Sequence, residues 1–363
     1  MATHNLPELA KKIYGASDER VKQIQQMYMA SQTQINDIIS RFIADERNWS
    51  SKAPKAEIQQ FMDQLRALAQ SASDSDKTLM KTVYDNKPMK TNADLLTASV
   101  NLVMVQLAMS RKKQLTEAVQ VIPQEVHTAH YQKAKDQIVT DLKHYIKQIP
   151  TGKTSVSMSV KNKVISSPAK RLESDKNGTD ELRQRSIEQK AEKQLYGKGY
   201  HPKMTQKAIS KIVTGNYYKG TNPYTSINED TARIMLKLNK LAITALKNHQ
   251  KPQDYSKEIG KLLTGQGIST NGAMSKAATI MRTQAAYIFG QSKLKEFKSH
   301  GATRYRNVSV ESETTCDFCG NEMDGTEFNI EDAEPGVNMF PFHPNCQCDI
   351  EEVPDDDYES MMD

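Results

Sequence analysis

Cys316-Asp317-Phe318-Cys319-Gly320 and His343-Pro344-Asn345-Cys346-Gln347-Cys348 hold all four cysteines of a 363-residue chain inside one 33-residue window. Two sulfurs two residues apart on a tight turn can reach one ion, and the Gly that follows lets the backbone fold back. The second run, 24 positions after Cys319, adds an imidazole and two thiols on a short Pro-containing loop. Five candidate donors for about four tetrahedral positions is the arithmetic of a closed structural zinc site. Cys316, Cys319 and His343 are the expected ligands, with Cys346 or Cys348 as the fourth. The competing reading is two disulfides, which needs an oxidising compartment.

The totals favour the metal. No apolar run with a cleavage site follows Met1, so no secretion signal is expected. The most apolar segment, Leu95 to Met109, contains Asn101 and Gln106 and reads as too short to span a bilayer. A cytoplasmic origin, without a membrane anchor, keeps thiols reduced. Hydrophobic residues are 37% and charged residues 26%, with a single Trp49, a balance that suits elongated helices and loops better than one thick core. Net charge is +5, yet Asp349 to Asp363 carries eight acids and no base, so the remainder holds +13. A basic body with an acidic end suits a polyanion partner or simple solubility.

Periodicity predicts a mainly α chain. After Asp18, read as an N-cap, Val21, Ile24, Tyr28, Ile35, Ile38 and Phe42 share one helical face. Pro54 opens a second helix through Phe61, Leu65 and Leu68, and Ser71 to Ser75 reads as a loop. A long helix starts at Asp94 with Leu96, Val100, Val103, Leu107, Leu115 and Ile122 in near-heptad register, and Pro123 is expected to break or kink it. A second arm runs through Val126, His130, Ile138 and Leu142 to Pro150-Thr151-Gly152. His127 and His130 lie on it at i, i+3 without a third ligand, so they read as surface or core residues.

From Gly152 to Tyr200 the chain is rich in Ser, Lys and Arg, with few large apolar side chains, and reads as a basic, exposed, mobile segment able to contact phosphates without base specificity. Further helices follow over Pro202–Thr214, after a Ser226–Glu229 capping box, after Pro252, and through Ala277, Met281, Ala285, Ile288 and Leu294 to Gly301. Gly265-Gln266-Gly267 reads as a helix-ending turn. Thr303 to Val310 alternates as a strand that delivers the chain to Cys316.

The expected organisation is 1–150, elongated helices; 151–200, a basic flexible linker; 201–300, a helical domain; 301–350, a small zinc-pinned module containing β-structure; and 351–363, an acidic tail. No nucleophile elbow, phosphate-cradling Gly loop or His-Glu-x-x-His stands in the sequence, so no enzyme is expected.

Arg282-Thr283-Gln284, Thr315-Cys316-Asp317-Phe318-Cys319, Gly325-Thr326-Glu327-Phe328 and the closing His343-to-Cys348 run resemble, in order, the signature of the phage minor head proteins of the Mu F type, the head morphogenesis proteins. The likeness covers roughly residues 200 to 350. Gln284 stands where that family usually has an acid and Gln347 where it has Arg; both leave the candidate ligands intact.

The resemblance implies a virion component made in the host cytoplasm. It would be built into the head with the portal, major capsid and scaffold proteins, lie inside the head near the portal vertex, and act in assembly and in DNA packaging or ejection, with non-specific contact to packaged DNA. The family's helical domain would span 201–300. Two other classes compete. A zinc-dependent DNA-binding protein would have thiol pairs beside a basic segment, but an acidic tail follows the ligands here. A zinc hydrolase or toxin-type enzyme would need an open metal position, whereas five donors compete for the ion.

Overall fold

The computed structural model describes residues 7–83, 89–148, 155–160, 163–168, 180–265, 272–310 and 315–353. The chain is mainly helical, with a small three-stranded sheet near its C-terminus. It divides into two compact units: Met1–Pro123 together with Ile209–Asp363, and Gln124–Ala208. The helices of the first 123 residues share a unit with the C-terminal sheet.

In the first unit, α1 (Glu8–Ala44) buries Ile13, Tyr14, Val21, Ile24, Tyr28, Ile35, Ile38 and Phe42, the predicted face extended by almost three turns at its start. Pro7 stands at its N-cap, and Asp18, expected to be the cap, is mid-helix and paired with Arg282. Arg47 fastens the turn after α1: it bonds Asp45 and Glu57 at 2.7 and 2.8 Å and lies over the Phe42 ring.

Helix α2 (Lys55–Ser71) buries only Phe61, as its narrow apolar stripe allows. The run read as a loop around 71–75 is short, for α3 (Asp74–Val83) begins almost at once. Ser73 and Asp76 cap it reciprocally, each side chain accepting the other's backbone N–H. The Asp76 carboxylate also meets buried Lys112 at 2.5 Å.

Helix α4 (Asn92–Gln148) opens on the same device, Thr91 with Asp94. Its first part is buried nearly all round, including Leu95, Leu96, Val100, Val103, Met104 and Leu107. By length and composition it could cross a membrane, but 67% of its most apolar window is covered by protein, the pattern of a core helix. Of the break or kink expected at Pro123, the break does not occur: α4 continues through it, and the boundary between the two units falls just after it.

The second unit corrects the expected linker. Within 151–200, β1 (Ser155–Val160) and β2 (Lys163–Pro168) pair antiparallel, and α5 (Asp180–Gly197) is a helix of 18 residues. Its apolar residues are few but stand four apart. Ile187, Ala191 and Leu195 make one stripe, and the first two pack with Val139, Ile138 and Leu142 of α4. His127 is buried, and its Nε2 lies 2.7 Å from the His201 carbonyl, so it is a structural residue. Pro150-Thr151-Gly152, Gln266-Gly267, most basic residues between Lys153 and Lys176, and the acidic end beyond Val353 lie outside the described residues.

Next come α6 (Gln206–Val213), α7 (Pro223–Lys247), α8 (Pro252–Leu263) and α9 (Ala273–His300). Helix α7 starts three residues before the expected Ser226–Glu229 box. Its cap is Asn222, whose side chain accepts the N–H of Tyr224 and Thr225, with Pro223 as the first helical residue. Helix α9 is buried on most sides and ends, as read, at Gly301 in the left-handed conformation. Helix α1 packs along it, with Tyr14 edge-on to Phe289 at 5.8 Å.

The sheet has the order β4-β3-β5, with β3 at Arg304–Val308, β4 at Glu327–Asn329 and β5 at Asp349–Val353, all antiparallel. Tyr305 anchors it as a fully buried ring whose hydroxyl donates to the Asn338 carbonyl. The acidic tail consequently starts later than expected. Asp349 is wholly buried in β5, where its carboxylate is bonded to Lys293 of α9 at 2.7 Å.

Candidate metal centre

The Cys316 turn follows β3 and rolls into one π-helical turn at Phe318–Met323, which brings the second thiol of the pair under the first. The Cys319 N–H points at Cys316 Sγ, 3.4 Å away, and Gly320 N–H closes the turn on the Cys316 carbonyl. The second loop is held from α9. Asn345 takes the left-handed conformation at φ 63°, which Asn tolerates better than most residues. Its N–H donates to Thr283 Oγ1 and its side-chain amide to Thr279 Oγ1. Cys346 N–H turns back to the His343 carbonyl. Tyr218 OH donates to the Phe342 carbonyl, and Tyr14 OH of α1 donates to the Cys348 carbonyl. Gly290 lets the preceding loop approach α9, since a Cβ there would run into Met339 and the Phe340 ring.

All five sequence-predicted donors line one small cavity of about 60 Å³. They form two overlapping groups able to hold a metal, Cys316–Cys319–His343 and Cys319–Cys346–Cys348, with Cys319 common to both. His343 Nε2 lies 3.2 Å from Cys316 Sγ and 3.2 Å from Cys319 Sγ, and Cys319 Sγ lies 4.0 Å from Cys346 Sγ. A tetrahedral zinc with Zn–S near 2.3 Å needs sulfurs about 3.8 Å apart and S···N about 3.5 Å, and these three separations lie within a few tenths of an ångström of those values. The histidine is oriented for the task. Its Nδ1 is 2.9 Å from the Pro344 carbonyl, which takes the ring proton and leaves the Nε2 lone pair facing the sulfurs. All four cysteines are free thiols rather than disulfides.

The thiols cannot all ionise by themselves. Cys316 is lowered, first by the N–H of Cys319. Cys346 is pulled down to about 3, chiefly by the hydrogen bond from Cys319, then by that from Cys348. Cys319 is driven well up by the same contacts, led by Cys346, and Cys348 is raised by Cys346 and by burial, against its bond to Cys319. Burial alone would depress His343, but the Pro344 carbonyl and the Cys346 and Cys316 thiolates outweigh it and raise its pKa. Sharing protons in this way is the condition that a divalent cation relieves, since it replaces them all at once.

This stretch also decides what the chain resembles. Residues 237–351, from the middle of α7 into β5, match the family model described as Phage Mu protein F like protein. The C-terminal part of the chain is similar to that family. No curated protein and no solved structure gives a significant match. The matched stretch contains every candidate donor.

The signature residues Arg282-Thr283-Gln284 have separate tasks: Arg282 Nε bonds Asp18 at 2.8 Å, Thr283 holds Asn345, and Gln284 donates to the Asn216 carbonyl. Sequence reasoning missed Thr279, Tyr14 and the Lys293–Asp349 pair as supports of the site. Only the adjacency of Asp349 to Cys348 hinted at the last.

Proposed function

We propose that this chain is a minor structural protein of a phage head, placed inside the head near the portal vertex, and that its Mu F-like domain is pinned by a structural zinc. Its partners are then the portal, major capsid and scaffold proteins, and its work is head assembly and the passage of DNA. The observation that carries the reading is the meeting of five S and N donors, from two loops 24 residues apart, inside a Mu F-like domain. Cys316, Cys319, His343 and Cys346 would hold the ion. Cys346 is favoured over Cys348 because its sulfur is in direct contact with Cys319 and receives backbone N–H groups from Cys348 and Phe342, as a bound thiolate does.

The ion supplies a cross-link, not a reaction. It ties the turn after β3 to the loop before β5, and structural zinc contributes on the order of 10 kcal/mol to small modules. An enzymatic role is not proposed: the donors outnumber the tetrahedral positions, and the carboxylate beside them, Asp349, is engaged by Lys293. Elemental analysis of the reduced, full-length protein should find one zinc per chain, and Cys316→Ser or His343→Ala should abolish it. Protein counting in purified virions should find few copies relative to the capsid. A chain without metal sinks the zinc, and virions without the chain sink the head assignment.

A further inference from the structure

The two units differ sharply in charge. Gln124–Ala208 carries 17 Lys and Arg against 9 Asp and Glu, a net of +8, so the rest of the chain stands at −3. The second unit therefore holds the whole positive excess of the protein. Its basic residues go unopposed where α5 ends: from Lys193 to Ala208 there are Lys193, Lys198, Lys203 and Lys207 and no acid. The acid just before them, Glu192, is already bonded to Lys135 at 2.7 Å. All four lysines are exposed, and none makes an ion pair among the described residues.

This corner is held rigidly, although none of its lysines holds it. Gln124 clamps it from α4: its Nε2 donates to the Pro202 carbonyl and its Oε1 accepts the Met204 N–H. Tyr200 packs inward between His127 and Tyr131, with ring centres 5.0 and 5.6 Å away. Gly199, at φ 76°, makes the reversal, and the Tyr200 N–H returns to the Leu195 carbonyl. Tyr196, 46% exposed, stands beside His201 on the outside. A fixed corner that carries four exposed lysines without ion pairs among the described residues, and an exposed aromatic ring in the same stretch, suits a polyanion.

We propose that the corner formed by the end of α5 and the start of α6 is a site for the phosphate backbone of duplex DNA, bound without sequence preference. Lysines act as point charges for phosphates, and each contact releases condensed counterions, so binding weakens steeply with salt. An anionic membrane is the poorer occupant, because a surface-lying segment needs an apolar face to insert and Tyr196 is the one large apolar side chain exposed in the described part of this unit. The site gives a place on the chain to the contact with DNA that the proposed function includes, and its role rests on that reading.

The test is fluorescence anisotropy of the full-length protein with labelled 30-base-pair duplexes of two unrelated sequences, over a salt series. Both duplexes should bind alike. The triple variant Lys193→Gln, Lys198→Gln, Lys203→Gln should lose at least tenfold in affinity near about 100 mM salt, and its log–log salt slope should fall by about 2 to 3. Lys198→Glu alone, in the exposed turn, should lose several-fold. The control Lys237→Gln, Lys240→Gln, on the exposed side of α7, should bind as wild type. Equal binding by the triple variant, a preference for one duplex, or tighter binding to phosphatidylserine vesicles than to DNA each overturns the proposal. A null result leaves the head assignment standing, since that is read from virion composition.

Discussion

Single residues in the second loop carry more than their ligand roles. Asn345 combines a left-handed backbone with an amide bond to Thr279, so it sets the direction in which Cys346 leaves the His343 turn. Asn345→Ala should cost about 1–2 kcal/mol, since Ala pays the left-handed penalty and loses the amide bond; Asn345→Gly, free of that penalty, should cost less. Urea unfolding of both variants checks the order. At this scale the sequence was legible: residue types and spacing pointed to all five donors, because ligand chemistry is local. The supports were not, since Thr279, Thr283 and Tyr14 reach the loop only through packing of helices far from it in sequence.

Among elements, the helix starts show how local signals compete. Ser226 and Glu229 have capping-box spacing, yet Asn222 followed by Pro223 begins α7 one turn earlier, because Pro is preorganised for the first helical position. Asn222→Ala should lower stability by about 1 kcal/mol and Glu229→Ala by under about 0.5, read by thermal or chemical unfolding. The buried Asp76–Lys112 pair ties α3 to α4. Lys112→Met alone should cost about 3–5 kcal/mol by stranding the carboxylate, whereas Asp76→Leu with Lys112→Met should be near neutral or stabilising. Burial raises the Asp76 carboxyl, but bonds from Lys112 and Ser73 prevail and leave its pKa below the usual value. The pair's contribution is therefore present above the unfolded carboxyl pKa near about 3.9 and lost as pH falls through the lower folded value. The stability gap between wild type and the double variant should change only below about pH 4. Helix α5 was misread as linker because its composition is polar, while its three apolar residues, spaced by four, are enough for one stripe.

For the whole molecule, the stretch similar to the Mu F family leans on an element outside it. Helix α1 covers α9 along its length, bonds Arg282 through Asp18, and reaches the Cys348 carbonyl through Tyr14. A fragment of residues 237–351 should therefore lack cooperative unfolding even with zinc added, and adding the α1 and α4 segments back in the full chain restores it. Calorimetry of the fragment against the full chain decides; a sharp, zinc-dependent transition in the fragment alone would contradict the role given to α1.

By itself the sequence pointed to the helical class, most helix faces, the family likeness and five candidate donors, for these depend on periodicity and on the chemistry of neighbours along the chain. Only the tertiary structure decided that the first helix shares a compact unit with the C-terminal sheet, that Pro123 sits within a continuing helix, that Asp349 is a core residue, and that the net positive excess falls in one unit. Those outcomes rest on which surfaces meet across hundreds of residues, and burial energy acts on surfaces without regard to their order in the chain.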